Sequence, residues 1–193
     1  MTILHSIVAL ELCMRLEASS EPRQRLHQLV ARHPKQTTPG AKWELIRDIV
    51  GTLNQHLDLA ERGCWDFFDD DARAQRDFKM WSDGMITREG VRPAPNQRDA
   101  YRGGEALFMT FTIALLLRRG SPGERALAAR CDIPESHLWA RGTFRHVLQS
   151  LTGLSFASVR ADVVYLIPGE ESWGLTASDL AQPKFHYLRP IVG

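Results

Sequence analysis

The densest carboxylate group in the chain is Asp66, Asp69, Asp70 and Asp71. Oxygen-rich clusters of this kind hold Mg²⁺ or Ca²⁺, and paired carboxylates share general acid and base work. Asp69 and Asp70 are therefore the metal candidates. A second explanation needs no ligand. Acids gather in the first turn of a helix because they offset the positive end of its dipole. Asp69 and Arg73, and Arg73 and Asp77, are also four residues apart, the spacing of helical ion pairs. The helix accounts for the whole pattern, and no metal or other cofactor is expected.

Trp65, Phe67 and Phe68 form an aromatic knot beside those acids. Aromatic side chains fill cores and also anchor interfaces, so all three are candidate core residues and candidate partner contacts. Arg88, Arg92, Arg98 and Arg102 follow, with Tyr101 and the pair Gly103 and Gly104. Arginine forks match phosphate and carboxylate groups, and glycines let backbone approach an anion. Arg98, Tyr101 and Arg102 are thus the candidates for an anionic ligand or acidic partner. Glu89 and Asp99 partly cancel that field, and a solvated loop explains the same residues.

Cys13, Cys64 and Cys131 are odd in number, far apart and without a C-x-x-C pair. This favours free thiols in a reducing compartment. Cys64 has no histidine within a helical turn, so it reads as a packed thiol and not a nucleophile. The histidines do not pair: His137 and His146 are nine residues apart, and on one helix they face opposite ways. The phosphate-cradling, zincin and hydrolase-elbow motifs are missing. A formal charge of +1 gives no basic excess for nucleic acid or an anionic membrane surface. No apolar run reaches the ~18 residues of a membrane span, and the first residues carry no basic leader pattern. A cytoplasmic protein is expected.

These residues need elements to position them. Val8, Leu10, Leu12, Met14 and Leu16 alternate with Ala9, Glu11, Cys13 and Arg15, which predicts a half-buried strand. Ser20, Glu21 and Pro22 open a short helix that ends near His33 and Pro34. Trp43, Ile46, Val50, Leu53, Leu57 and Ala60 recur at helical spacing and predict one continuous helix, stopped by Gly63. Its second row, Leu45, Ile49 and Leu59, suggests more apolar surface than one sheet face covers. Asp69 to Asp71 open a further helix with the stripe Ala74, Phe78, Trp81 and Met85.

Residues 87–104 read as a loop, and residues 107–117 as a strand covered on both faces. Residues 124–131 are a candidate strand. Phe144, Val147, Leu148 and Leu151 mark a helix that ends at Gly153. Val159 to Ile167 alternate as a strand stopped by Pro168, Thr176 opens a helical turn, and Phe185 to Ile191 form an extended tail. The expected fold is α/β, an α+β sandwich. A small mixed sheet of three to four strands packs against several helices. All 193 residues form one domain, with a mostly helical half over 1–86 and a strand–helix–strand half over 105–193.

The same order resembles a domain-of-unknown-function family known mainly from cyanobacteria and plastids. The matching residues are Leu10 to Leu16, Thr38-Pro39-Gly40, Phe108 to Leu117, Phe144 to Leu151, Val163 to Pro168, and Tyr187-Leu188-Arg189-Pro190. The likeness covers about residues 5 to 190 and implies an α/β fold without an activity. Many members carry an N-terminal membrane segment, and no such segment stands in this sequence. Taken together, the sequence predicts a non-enzymatic protein–protein interaction module that contacts protein partners, itself included. An enzyme or ligand-binding regulator that handles an anionic small molecule is the alternative.

Overall fold

A computed structural model describes residues 3–17, 20–83, 107–169 and 174–193. Among the described residues, five strands form one antiparallel sheet, and six α-helices surround it. The order across the sheet is β4-β3-β1-β2-β5, with β1 (His5–Arg15) at the centre. β1 pairs with β2 (Ala60–Phe68) on one side and β3 (Phe108–Arg118) on the other. β4 (Val159–Ile167) closes one edge, and the two-residue β5 (Arg189–Pro190) lies on the other. Strands from both halves of the sequence therefore share one sheet. The mixed α/β class matches the expectation. The strand number and direction do not, since the sheet has five strands and each pairs with its neighbours antiparallel.

Both faces of the sheet are covered. On the first, Val8, Leu10, Leu12 and Met14 of β1 pack with Leu26 and Leu29 of α1 (Glu21–Arg32). Ile46, Ile49 and Leu53 of α2 (Pro39–Gln55) join them, as do Leu127 of α4 (Pro122–Cys131) and Phe144 and Leu148 of α5 (Arg141–Thr152). On the second face, Ile7, Ala9 and Cys13 pack with Ala74 and Trp81 of α3 (Asp71–Ser82) and Leu180 of α6 (Ala177–Leu180). Phe185 and Leu188 complete that layer. This corrects the half-buried reading of β1. Its alternation sends Val8, Leu10, Leu12 and Met14 to one face and Ile7, Ala9, Glu11 and Cys13 to the other, and nine of its residues are buried because helices cover both sides.

Further expectations also fail. The helix over residues 43–60 stops at Gln55. A short 3₁₀ turn, Leu57–Leu59, then carries Leu57 inward, and Ala60 begins β2. The spacing survives the break because both segments face the same core. Gly63 lies inside β2 and does not end a helix. Residues 124–131 are helical: Ser121 caps the first turn by accepting from the Glu124 N–H, Pro122 stands at the first helical position, and Ala and Leu favour the helix. Of the row Leu45, Ile49 and Leu59, the first two are fully buried by the chain itself and Leu59 is partly buried against the same core, so the row offers no large exposed patch. Of the tail, only Arg189–Pro190 is strand.

Candidate binding cleft

β2 and α3 build a concavity that gathers aromatic residues. Successive residues of a strand point to opposite faces, so Trp65 turns to the first face and Cys64 to the second. The Trp65 indole N–H donates to the Leu138 carbonyl at 2.9 Å, which fixes the ring. Phe68 ends the strand, and the Arg73 guanidinium stacks 3.2 Å from its ring centroid. α3 starts where the Asp70 carboxylate accepts the Arg73 backbone N–H at 2.7 Å. The Asp71 carboxylate accepts the His5 backbone N–H at 2.8 Å and ties the helix to β1. Arg73, Arg76, Asp77, Met80 and Trp81 then share the face of α3 that borders β2.

Between them lies an open cleft of about 540 Å³, lined also by Trp139 and Tyr187. That volume falls in the range of ligand and side-chain pockets. Its charges are balanced. Asp77 is buried between Arg73 at 3.3 Å and Arg76 at 3.4 Å, and both arginines reach solvent. Burial and the neighbouring Asp77 raise the pKa of Asp66 at the rim, against the pull of Arg73. Met80 is 48% exposed despite its apolar side chain.

A buried polar cluster sits below the floor. Glu11 of β1 is fully buried on the second face, beside Cys64 and opposite Thr112. Burial pushes its carboxyl from 4.5 up to about 7, while the hydroxyls of Thr110, Tyr187 and Thr112 oppose the shift. The Tyr187 hydroxyl donates to it, and desolvation together with the Glu11 charge raises the phenol well above its ordinary pKa. Desolvation holds Cys13 up at about 12 and raises Cys64 further, so neither is a ready nucleophile.

A second polar cluster lies on the other face. Asp162 of β4 receives hydrogen bonds from His33 at 2.6 Å and from the Lys42 ammonium. Burial alone raises the pKa of Asp162, but those two partners outweigh it and hold the carboxylate below its usual range.

Of the aromatic knot, Trp65 and Phe68 line the cleft, and Phe67 packs against the first-face core. The acids do structural work: Asp70 caps α3, Asp71 holds His5, and Asp69 pairs with Arg119 at 3.2 Å and not with Arg73. The Arg73–Asp77 pair forms as expected. Among the described residues, no three His, Cys, Asp or Glu side chains converge as a metal site. No helix there is long and apolar enough to cross a membrane. Arg88, Arg92, Arg98, Tyr101 and Arg102 lie outside the described residues.

Sequence reasoning missed Trp139, Tyr187 and Glu11. The signal for Glu11 was present, a lone carboxylate between Ala9 and Cys13 on one face of an otherwise apolar strand. No family model, curated protein or solved structure matches the chain.

Proposed function

We propose that the chain is a protein–protein interaction module and that the cleft between β2 and α3 is its contact site. The observation that carries this reading is the composition of the walls: Trp65, Trp81, Trp139, Tyr187, Arg73 and Arg76. Trp, Tyr and Arg are the residue types that dominate binding energy at protein interfaces. Met80 adds an adaptable apolar surface, open to solvent. Val192, 58% exposed, donates its backbone N–H to the carbonyl of Trp139. The partner is a polypeptide that presents an apolar side chain, and a second copy of this chain is one such partner. The resemblance to the cyanobacterial and plastid family carries no activity and adds nothing to the site.

A second reading, a small organic ligand in the same cleft, draws on the Glu11–Tyr187 pair beneath the floor. A photo-crosslinking residue at position 80 separates the two. The expected result is a polypeptide adduct that disappears with Trp139→Ala and is absent when the same group stands at Glu44 on α2. Adducts equal at both positions, or adducts of small molecules only, overturn the interaction reading.

A further inference from the structure

Resting on that reading, we infer that the cleft accepts its partner as an added β-strand, an extended peptide that pairs with the outer edge of β2 beside residues 64–68. β2 is nine residues long, yet β5 pairs only with Arg62 and Gly63. Past Arg189 the antiparallel register would carry Leu188 and Tyr187 along β2. Instead the chain turns off, and Tyr187 reaches across to Glu11. Among the described residues, no strand pairs with the outer edge of β2 beyond Gly63. The cleft is built along that same stretch, because Cys64, Trp65, Asp66 and Phe68 all line it.

An unpaired strand edge offers a row of N–H and C=O groups to an incoming chain, and peptide recognition by strand addition uses this edge. Side chains of an added strand alternate. Alternate residues would thus face α3, where Trp81 and Met80 receive an apolar group, and the others would face Trp139. Five residues of edge correspond to about 17 Å of extended peptide. Balanced charge on the walls selects an alternating apolar and neutral segment over a strongly charged one. The opposite protection appears at β5 itself, where Pro190 removes a donor from the short edge.

The test is selection of binders to the 193-residue chain from a displayed library of random twelve-residue peptides. A selected peptide is then resynthesised with single backbone N-methyl groups at each position. In a strand only every second N–H faces the neighbour. The expected result is a tenfold or greater loss of affinity at alternate positions, with tolerance between them. Met80→Arg, on the exposed side of α3, should also abolish binding while the far-ultraviolet circular dichroism stays unchanged. Uniform tolerance of N-methylation, or losses at consecutive positions alike, overturns strand addition but leaves the cleft as a contact site. A library without binders, or binders indifferent to Met80→Arg, overturns both.

Discussion

The Tyr187 hydroxyl lies 3.1 Å from each oxygen of the Glu11 carboxyl, although 176 residues separate the two in sequence. The contact joins the centre of the sheet to the last segment of the described chain. It also ties one wall of the cleft to an acid whose pKa burial raises to about 7.

Glu11 should make stability depend on pH. Its folded pKa is raised from 4.5 to about 7. The fold therefore favours the protonated form. No penalty applies below pH 4.5, a growing one applies between 4.5 and 7, and the full penalty applies above. At 1.36 kcal/mol per pH unit the loss is about 3 kcal/mol by pH 8. Glu11→Gln should remove this slope. Urea unfolding of both proteins at pH 5 and pH 8 checks it, and equal slopes would refute the assignment.

Gly63 should tolerate no side chain. A Cβ there would stand 2.6 Å from the Phe144 ring and 2.9 Å from the Glu11 carbonyl. The close approach of β2 to both α5 and β1 needs the bare backbone. Gly63→Val should destabilise by about 2–3 kcal/mol, the range of overpacked cores. Gly51, where an added methyl would meet nothing within 4 Å, should accept alanine and gain helix stability. Thermal unfolding of the two variants should move in opposite directions.

Asp162 should resist acid. Its folded pKa is lowered by His33 and Lys42. Its contribution is therefore present above its ordinary pKa and disappears as pH falls through the folded value. Asp162→Asn should lose about 2 kcal/mol at pH 7, the scale of a hydrogen bond to a charged group. The difference from the parent should vanish in strong acid. A constant difference down to the acid transition would show that packing, and not charge, is responsible.

The three cysteines should differ in reactivity. Cys13 and Cys64 are buried and Cys131 is half-exposed, with its thiol pushed up to only about 11. A disulfide reagent at pH 8 should modify Cys131 first in native protein, and all three only after unfolding. Early modification of Cys64 would mean that the cleft floor opens.

Much of the fold was legible because its signals are local. Pro22, Pro39 and Thr176 stand at or beside helix starts, and Gly153 ends α5. The apolar β3 reads as a strand covered on both faces, and it is one. β2 was not legible as a strand. Its Gly63 resembles a helix stop, and its buried residues Cys64 and Trp65 are neighbours that serve two different cores, which erases a period of two. The cleft was half legible for a similar reason. Trp65 and Phe68 announce themselves as aromatics, but Trp139 and Tyr187 reach the site only through long-range folding.

The central position of β1 also sets an order of events during synthesis. The first of these strands to leave the ribosome is the one that every later strand flanks, directly or through a neighbour. Its second face waits for Phe185, Tyr187 and Leu188 before Glu11 is covered. Contacts between such distant residues slow folding. The nascent chain thus carries a bare apolar ribbon while the later strands are still being made, and chaperone engagement would fall on residues 5–15.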